Sequence, residues 1–93
     1  MPRIVVKNFW SHDYGECNIQ IPLVKDLEKL FLHKVLFEHI DADKCPKDVK
    51  KYKVKDFPTI IIECDGKERE RFIGLTQQRF LRRAIEKTLS ECR

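Results

Sequence analysis

With 93 residues, 37% of them charged and a formal net charge of +4, the chain is long enough for one hydrophobic core and too short for two. Its 42% hydrophobic content is that of an ordinary globular chain, and no apolar run approaches the ~20 residues a membrane-spanning helix needs. The opening MPRIVVKNFW has neither the apolar length nor the small-residue cleavage site of a secretory signal, which points to the cytoplasm or an organellar or viral equivalent.

In chain order, Ile4 to Phe9 is β-branched and apolar and reads as a short buried strand. From Gly15 to Leu32 the apolar positions Ile19, Leu23, Val24, Leu27, Leu30 and Phe31 form the stripe of an amphipathic helix, with Pro22 inside it as a kink. Val35 to Asp41 is a second strand, and its link to the first through a helix makes a parallel, right-handed βαβ unit. Pro46 suits the first turn of a short helix carrying Val49 and Tyr52 inward. Thr59 to Cys64 is a third strand, Asp65-Gly66 a two-residue hairpin turn, and Lys67 to Phe72 a charged returning strand that fits a protected sheet edge. Gly74 and Thr76 end that strand and start a last helix with Phe80, Leu81, Ala84, Ile85 and Leu89 inside. The order β-α-β-α-β-β-α predicts an α/β fold: a mixed four-stranded sheet with helices on both faces.

Cys17, Cys45, Cys64 and Cys92 form no CxxC pair and are spaced too widely for a zinc ribbon or finger. No metal site is expected, and in a reducing compartment four free thiols are. His12 and Asp13 stand near Cys17, but His12 follows the first strand and is expected exposed, so Cys–His nucleophilic catalysis is not favoured. Basic residues crowd Lys44 to Lys55 and Arg79 to Arg83, without aromatic residues recurring between them. Solvated helix faces are the simpler reading, and nucleic-acid binding the lesser one.

With the elements in this order, the chain resembles the thioredoxin family over nearly its whole length. NFWSHDYGEC followed by Pro22 aligns without gaps with the family's D-F-W-A-x-W-C-G-P-C and its later proline. FPT at Phe57 to Thr59 matches I-P-T, and DGKERERFIG matches N-G-x-x-x-x-x-x-G. The resemblance implies the thioredoxin fold as a single domain, 1–93, without the additional N-terminal strand and helix of full thioredoxins. It also implies a cis Phe57-Pro58 bond, and a groove of Trp10, Tyr14, Gly15, Phe57, Pro58, Thr59 and Gly74 that grips an extended partner segment.

The departures from the family bear on chemistry. Its attacking cysteine is replaced by Tyr14, the proline between its cysteines by Glu16, and its buried aspartate by Asn8. Tyrosine cannot attack a disulfide, a carboxylate disfavours a nearby thiolate, and Asn8 cannot take a proton. Ordinary dithiol exchange, and with it enzymatic activity of that kind, is not expected. Cys17 remains in the resolving position.

Three readings follow. The favoured one is a binding module that uses the groove without chemistry, like the thioredoxin-like domain of the phosducin-like proteins, whose F-Y-R-x-x-x-x-R-C matches FWSHDYGEC in spacing. The second is a single-thiol redox protein in which Cys17 forms a mixed disulfide with glutathione or a protein. The third is the basic nucleic-acid module. The expected partner is a protein or extended peptide, with no cofactor and no membrane, and the chain is expected to be a monomer. Cys45 lies where some eukaryotic thioredoxins also carry a cysteine, with a regulatory thiol there the lesser reading, while Cys64 and Cys92 are expected to lie far from Cys17.

Overall fold

Seven elements follow one another in the computed structural model, which describes residues 2–92: β1 (Ile4–Trp10), α1 (Glu16–Leu30), β2 (Val35–Asp41), α2 (Pro46–Lys51), β3 (Thr59–Cys64), β4 (Lys67–Ile73) and α3 (Gln78–Glu91). The strands form one mixed sheet in the order β2-β1-β3-β4, with β1 parallel to β2 and antiparallel to β3, and β3 antiparallel to β4. This is the predicted thioredoxin architecture.

The strand pleat divides the core into two layers. Ile4, Val6, Ile60 and Ile62 point to one face, where α1 supplies Val24 and Leu27 and α3 supplies Leu81, Ala84 and Ile85. Phe9 and Ile61 point to the other face and meet Val54 and Ile40, with Val49, Tyr52 and Phe57 packed alongside. Every residue of β3 is buried, as a strand covered on both faces must be, whereas charged β4 lies at the sheet edge.

Both long helices differ in detail from the expected stripes. In α1 the buried residues are Cys17, Gln20, Val24 and Leu27, while Ile19 and Leu30 are exposed. A spacing of three and four residues holds, but it is threaded through Cys17 and the polar Gln20, which the apolar stripe leaves out. In α3 the inner face is Leu81, Ala84, Ile85 and Thr88. Thr88 is tolerated there because its hydroxyl donates to the Ala84 carbonyl at 2.8 Å. Phe80 turns outward, with the Arg79 guanidinium 4.9 Å from its ring centre. Thr76 does not cap α3, whose N-cap is Gln77; it bonds to α1 instead. No helix among the described residues is long and apolar enough to cross a membrane.

Candidate functional site

One end of the sheet gathers the ends of β1, β2 and β4 and the start of β3. The β1 chain leaves Trp10, turns with the Tyr14 N–H on the Ser11 carbonyl at 3.3 Å, and enters α1 as the Cys17 N–H reaches the Tyr14 carbonyl at 3.1 Å. Facing this corner, the Phe57-Pro58 peptide is cis, and the Gly74 N–H donates to the Pro58 carbonyl at 2.8 Å. Gly74 has φ +87°, a conformation that a side chain would strain. The Thr59 hydroxyl donates to the Asp56 carbonyl at 2.6 Å and fixes the entry to β3.

The expected groove residues are brought together in two groups. The Tyr14 and Phe57 rings lie 5.3 Å apart, and Pro58, Thr59 and Gly74 are joined through backbone. Trp10 packs its ring edgewise on His12 at 4.6 Å. Gly15, in helical conformation, is the N-cap of α1.

Cys17 sits in the first turn of α1 with 1% of its surface exposed. Burial pushes its thiol up from the ordinary value; the Ser11 backbone pulls it down, and the Glu16 carboxylate adds to the rise. The net direction is upward. A helix N-terminus favours a thiolate, but here desolvation and an adjacent carboxylate outweigh it. Tyr14, three residues before Cys17, is exposed.

Beneath the corner a polar chain runs from β1 across β2 to α1 on one face of the sheet. Asn8, fully buried, lies with Nδ2 3.5 Å from His39 Nδ1, and His39 Nε2 lies 3.0 Å from Glu28 Oε1. The tautomer with the proton on Nε2 serves both contacts, accepting from Asn8 and donating to Glu28. Asn8 Oδ1 has no partner among the described residues. Gln20, also buried, clamps the loop after β4: its Nε2 donates to the Thr76 carbonyl at 3.1 Å and its Oε1 accepts from the Thr76 N–H at 2.8 Å. Neither group is found by apolar periodicity.

Other candidates are placed elsewhere. His12 is exposed, with Nε2 3.6 Å from Asp41 Oδ2, and among the described residues no hydrogen bond links it to Cys17. Cys45 is half-buried at the start of α2 and packs with the α2-side core. Lys50, Lys53 and Lys55 rim a shallow pocket of about 510 Å³ floored by Val49, Val54 and Phe57, which Asp43 also lines.

Cys64 and Cys92 are not free thiols, contrary to the expectation from sequence: they form a disulfide with α-carbons 6.2 Å apart. The bridge ties the end of β3 to the C-terminal end of α3. Pairing between cysteines 28 positions apart cannot be read from spacing, because it depends on where the strand and the helix finish. The two sulfurs and an Asp65 oxygen lie within 4.8 Å of one another, but disulfide sulfurs lack the thiolate a metal requires.

Residues 2–87 match the thioredoxin family. The chain belongs to that family. It is 31% identical to the thioredoxin of Rickettsia typhi over 85 residues, covering 91% of this chain and 81% of that protein. It is 32% identical over 87 residues to chloroplastic thioredoxin M4 of Arabidopsis thaliana, of which it spans 45%. Among solved structures, Fasciola hepatica thioredoxin superposes with a TM-score of 0.81 at 31% identity, covering 98% of this chain and 82% of that one. A point-mutant thioredoxin of Halobacterium salinarum gives 0.84 at 26% identity, covering 92% and 74%.

These findings correct the favoured functional reading. A groove-binding module without thiol chemistry has no support among them, since the relatives that match nearly the whole chain are themselves named thioredoxin. The single-thiol redox alternative agrees with them better.

Proposed function

We propose that the chain is a thiol–disulfide redox protein of the thioredoxin family that works through Cys17 as a single thiol. The observation that supports this reading is a free cysteine in the first turn of α1, beside Ser11, in a chain whose relatives are thioredoxins. The Cys17 thiolate attacks one sulfur of a disulfide, either in a protein segment or in oxidised glutathione. A Cys17 mixed disulfide forms, the other sulfur leaves as a thiolate, and it takes a proton from solvent. A second thiol then releases the adduct.

Trp10, Tyr14, Gly15, Phe57, Pro58, Thr59 and Gly74 form the substrate-facing surface in this reading. An extended protein segment would pair beside Pro58, with the Tyr14–Phe57 rings as an apolar wall. The compartment proposed is the cytoplasm. Because burial holds the Cys17 proton, exchange is slow at neutral pH and speeds up as pH rises.

The deciding experiment is site-resolved alkylation of the native protein against pH, with a parallel incubation in oxidised glutathione, both read by mass spectrometry. The expected result is labelling of Cys17 in the folded protein, with a midpoint above the ~8.5 of an ordinary thiol, and a glutathione adduct on Cys17. Labelling of Cys17 only on unfolding would make it a packing residue and end the redox reading.

A further inference from the structure

At the end of β3 away from Cys17, the Cys64–Cys92 bridge joins two residues of unequal exposure. Cys64 is 6% exposed and Cys92 is half-buried. A thiol arriving from solvent therefore meets the Cys92 sulfur first, and Cys64 is the sulfur displaced. Their anchoring is unequal too. Cys64 is paired on one side with Ile4 and on the other with Lys67, and the next residue, Asp65, bonds its N–H to the Arg3 carbonyl at 2.9 Å. Cys92 follows the last turn of α3, held by its N–H on the Thr88 carbonyl at 2.8 Å and flanked by the exposed Arg69–Glu91 ion pair at 3.7 Å.

Charge around the displaced sulfur points the same way. Cys64 Sγ lies 3.8 Å from an Asp65 carboxylate oxygen, which alone would oppose a thiolate. That carboxylate is already gripped by the Arg3 guanidinium through three hydrogen bonds of 2.6 to 3.1 Å. Lys67 stands opposite Cys64 across the hairpin. Negative charge forming on Cys64 thus develops beside an acid that Arg3 already pairs, with Lys67 at the facing strand position.

We propose that Cys64–Cys92 is a second thiol–disulfide exchange site, one that accepts electrons from a low-molecular-weight thiol of the glutathione class. In the first step the incoming thiolate bonds to Cys92 Sγ as the Cys64–Cys92 bond breaks, and Cys64 leaves as a thiolate that takes a proton. In the second, another molecule of the same thiol attacks the non-protein sulfur of the adduct, releasing the small-molecule disulfide and the Cys92 thiol. Two small thiols are oxidised to one disulfide, and the protein bridge is reduced to two thiols. Cys17 takes no part, so this site stands or falls apart from the corner.

The test is the rate of bridge reduction in the unsubstituted chain at rising concentrations of reduced glutathione, quenched with acid and mapped by peptide mass spectrometry. For direct attack on the folded protein, about tenfold more glutathione gives about tenfold faster reduction, low urea leaves the rate unchanged, and the trapped adduct is on Cys92. A rate that levels off with glutathione and climbs steeply with urea would mean reduction only through unfolding, and would overturn the proposal. An adduct confined to Cys64 would overturn the order of attack. The same rates are expected in the Cys17→Ser chain; a loss of reduction there would mean that electrons pass through Cys17, and would overturn an independent site.

Discussion

Thr59 and Cys64 bound β3, about 17 Å apart at the usual strand rise, and the sulfur chemistry near them is arranged in opposite ways. Near Thr59, Cys17 is free, buried and held protonated, at a helix N-terminus where charge would otherwise favour the thiolate. Near Cys64, two sulfurs are joined, one of them in the half-buried Cys92, among Arg3, Asp65, Lys67, Arg69 and Glu91. The helix terminus is a fixed feature of the fold, yet it does not by itself make a reactive cysteine. Access and the nearest full charges decide. At the corner the thiol is buried next to the Glu16 carboxylate; at the far end the nearest carboxylate, Asp65, is already paired with Arg3.

The largest effect is expected from breaking the far end. The bridge restrains residues 28 apart in sequence, and loop entropy assigns that restraint about 3–4 kcal/mol. Cys92→Ser should lower the unfolding free energy by that much while leaving Cys17 alkylation in the folded chain as it was. A loss well under 1 kcal/mol, read from urea denaturation, would mean that the helix end docks as well without the bond, and the contrast between the two ends would shrink.

Next in size is the corner's own tie. Gln20→Ala removes both hydrogen bonds to Thr76 and leaves the half-buried Thr76 N–H and C=O without their partner, at a cost of about 1–2 kcal/mol. Gln20→Glu keeps the acceptor for the Thr76 N–H but turns a second oxygen on the Thr76 carbonyl, so it should recover little. Amide exchange at Thr76 and Gly74 reads the slackening. Unchanged protection would show that the loop beside Pro58 is held by the Gly74–Pro58 bond alone.

A smaller effect separates the ends by pH. Cys17 has its proton affinity raised in the folded state, so above the ordinary thiol value the folded chain keeps a proton that the unfolded chain has released. Its contribution is intact below about pH 8.5 and is lost as pH climbs toward the raised value. Denaturation midpoints should therefore fall less steeply between about pH 8 and pH 9.5 in Cys17→Ala than in the unsubstituted chain. The bridged sulfurs do not titrate and add nothing. Equal slopes would show that Glu16 and burial do not act on Cys17 as described.

Sequence and structure agree on what local pattern controls. β2 and β3 fall on the predicted residues: β3 is a β-branched run bounded by turns, and β2 an apolar-rich run of strand length after a helix. The family resemblance was legible in Trp10, Gly15, Cys17, Pro22, Pro58, Thr59, Gly66 and Gly74 at matching spacing. What pattern could not reveal was long-range and polar. Gln20 and Thr88 occupy core positions only because each finds a hydrogen-bond partner, one of them 56 residues away. Phe80, read as core, faces outward because the three-and-four spacing from Leu81 had already filled the inner face. Tyr14 argued against thiol chemistry, but one position weighs less than a match to the thioredoxin family over residues 2–87.

The smallest effect tests whether charge alone tunes the far end. The Arg3–Asp65 contact is exposed, so Arg3→Ala should barely move the denaturation midpoint. Its consequence lies in the rate. Arg3 holds the Asp65 carboxylate below its usual range; without Arg3, that carboxylate keeps only the weaker pull of Lys67 while lying 3.8 Å from Cys64 Sγ. The leaving thiolate then forms against a negative charge, and bridge reduction by glutathione should slow at low ionic strength. Added salt screens the same repulsion and should narrow the gap between variant and unsubstituted chain. Asp65→Asn, which removes the carboxylate itself, should reverse the sign and speed reduction. If both substitutions change the rate in the same direction, the effect is packing rather than charge, and the contrast between the two ends of β3 reduces to access alone.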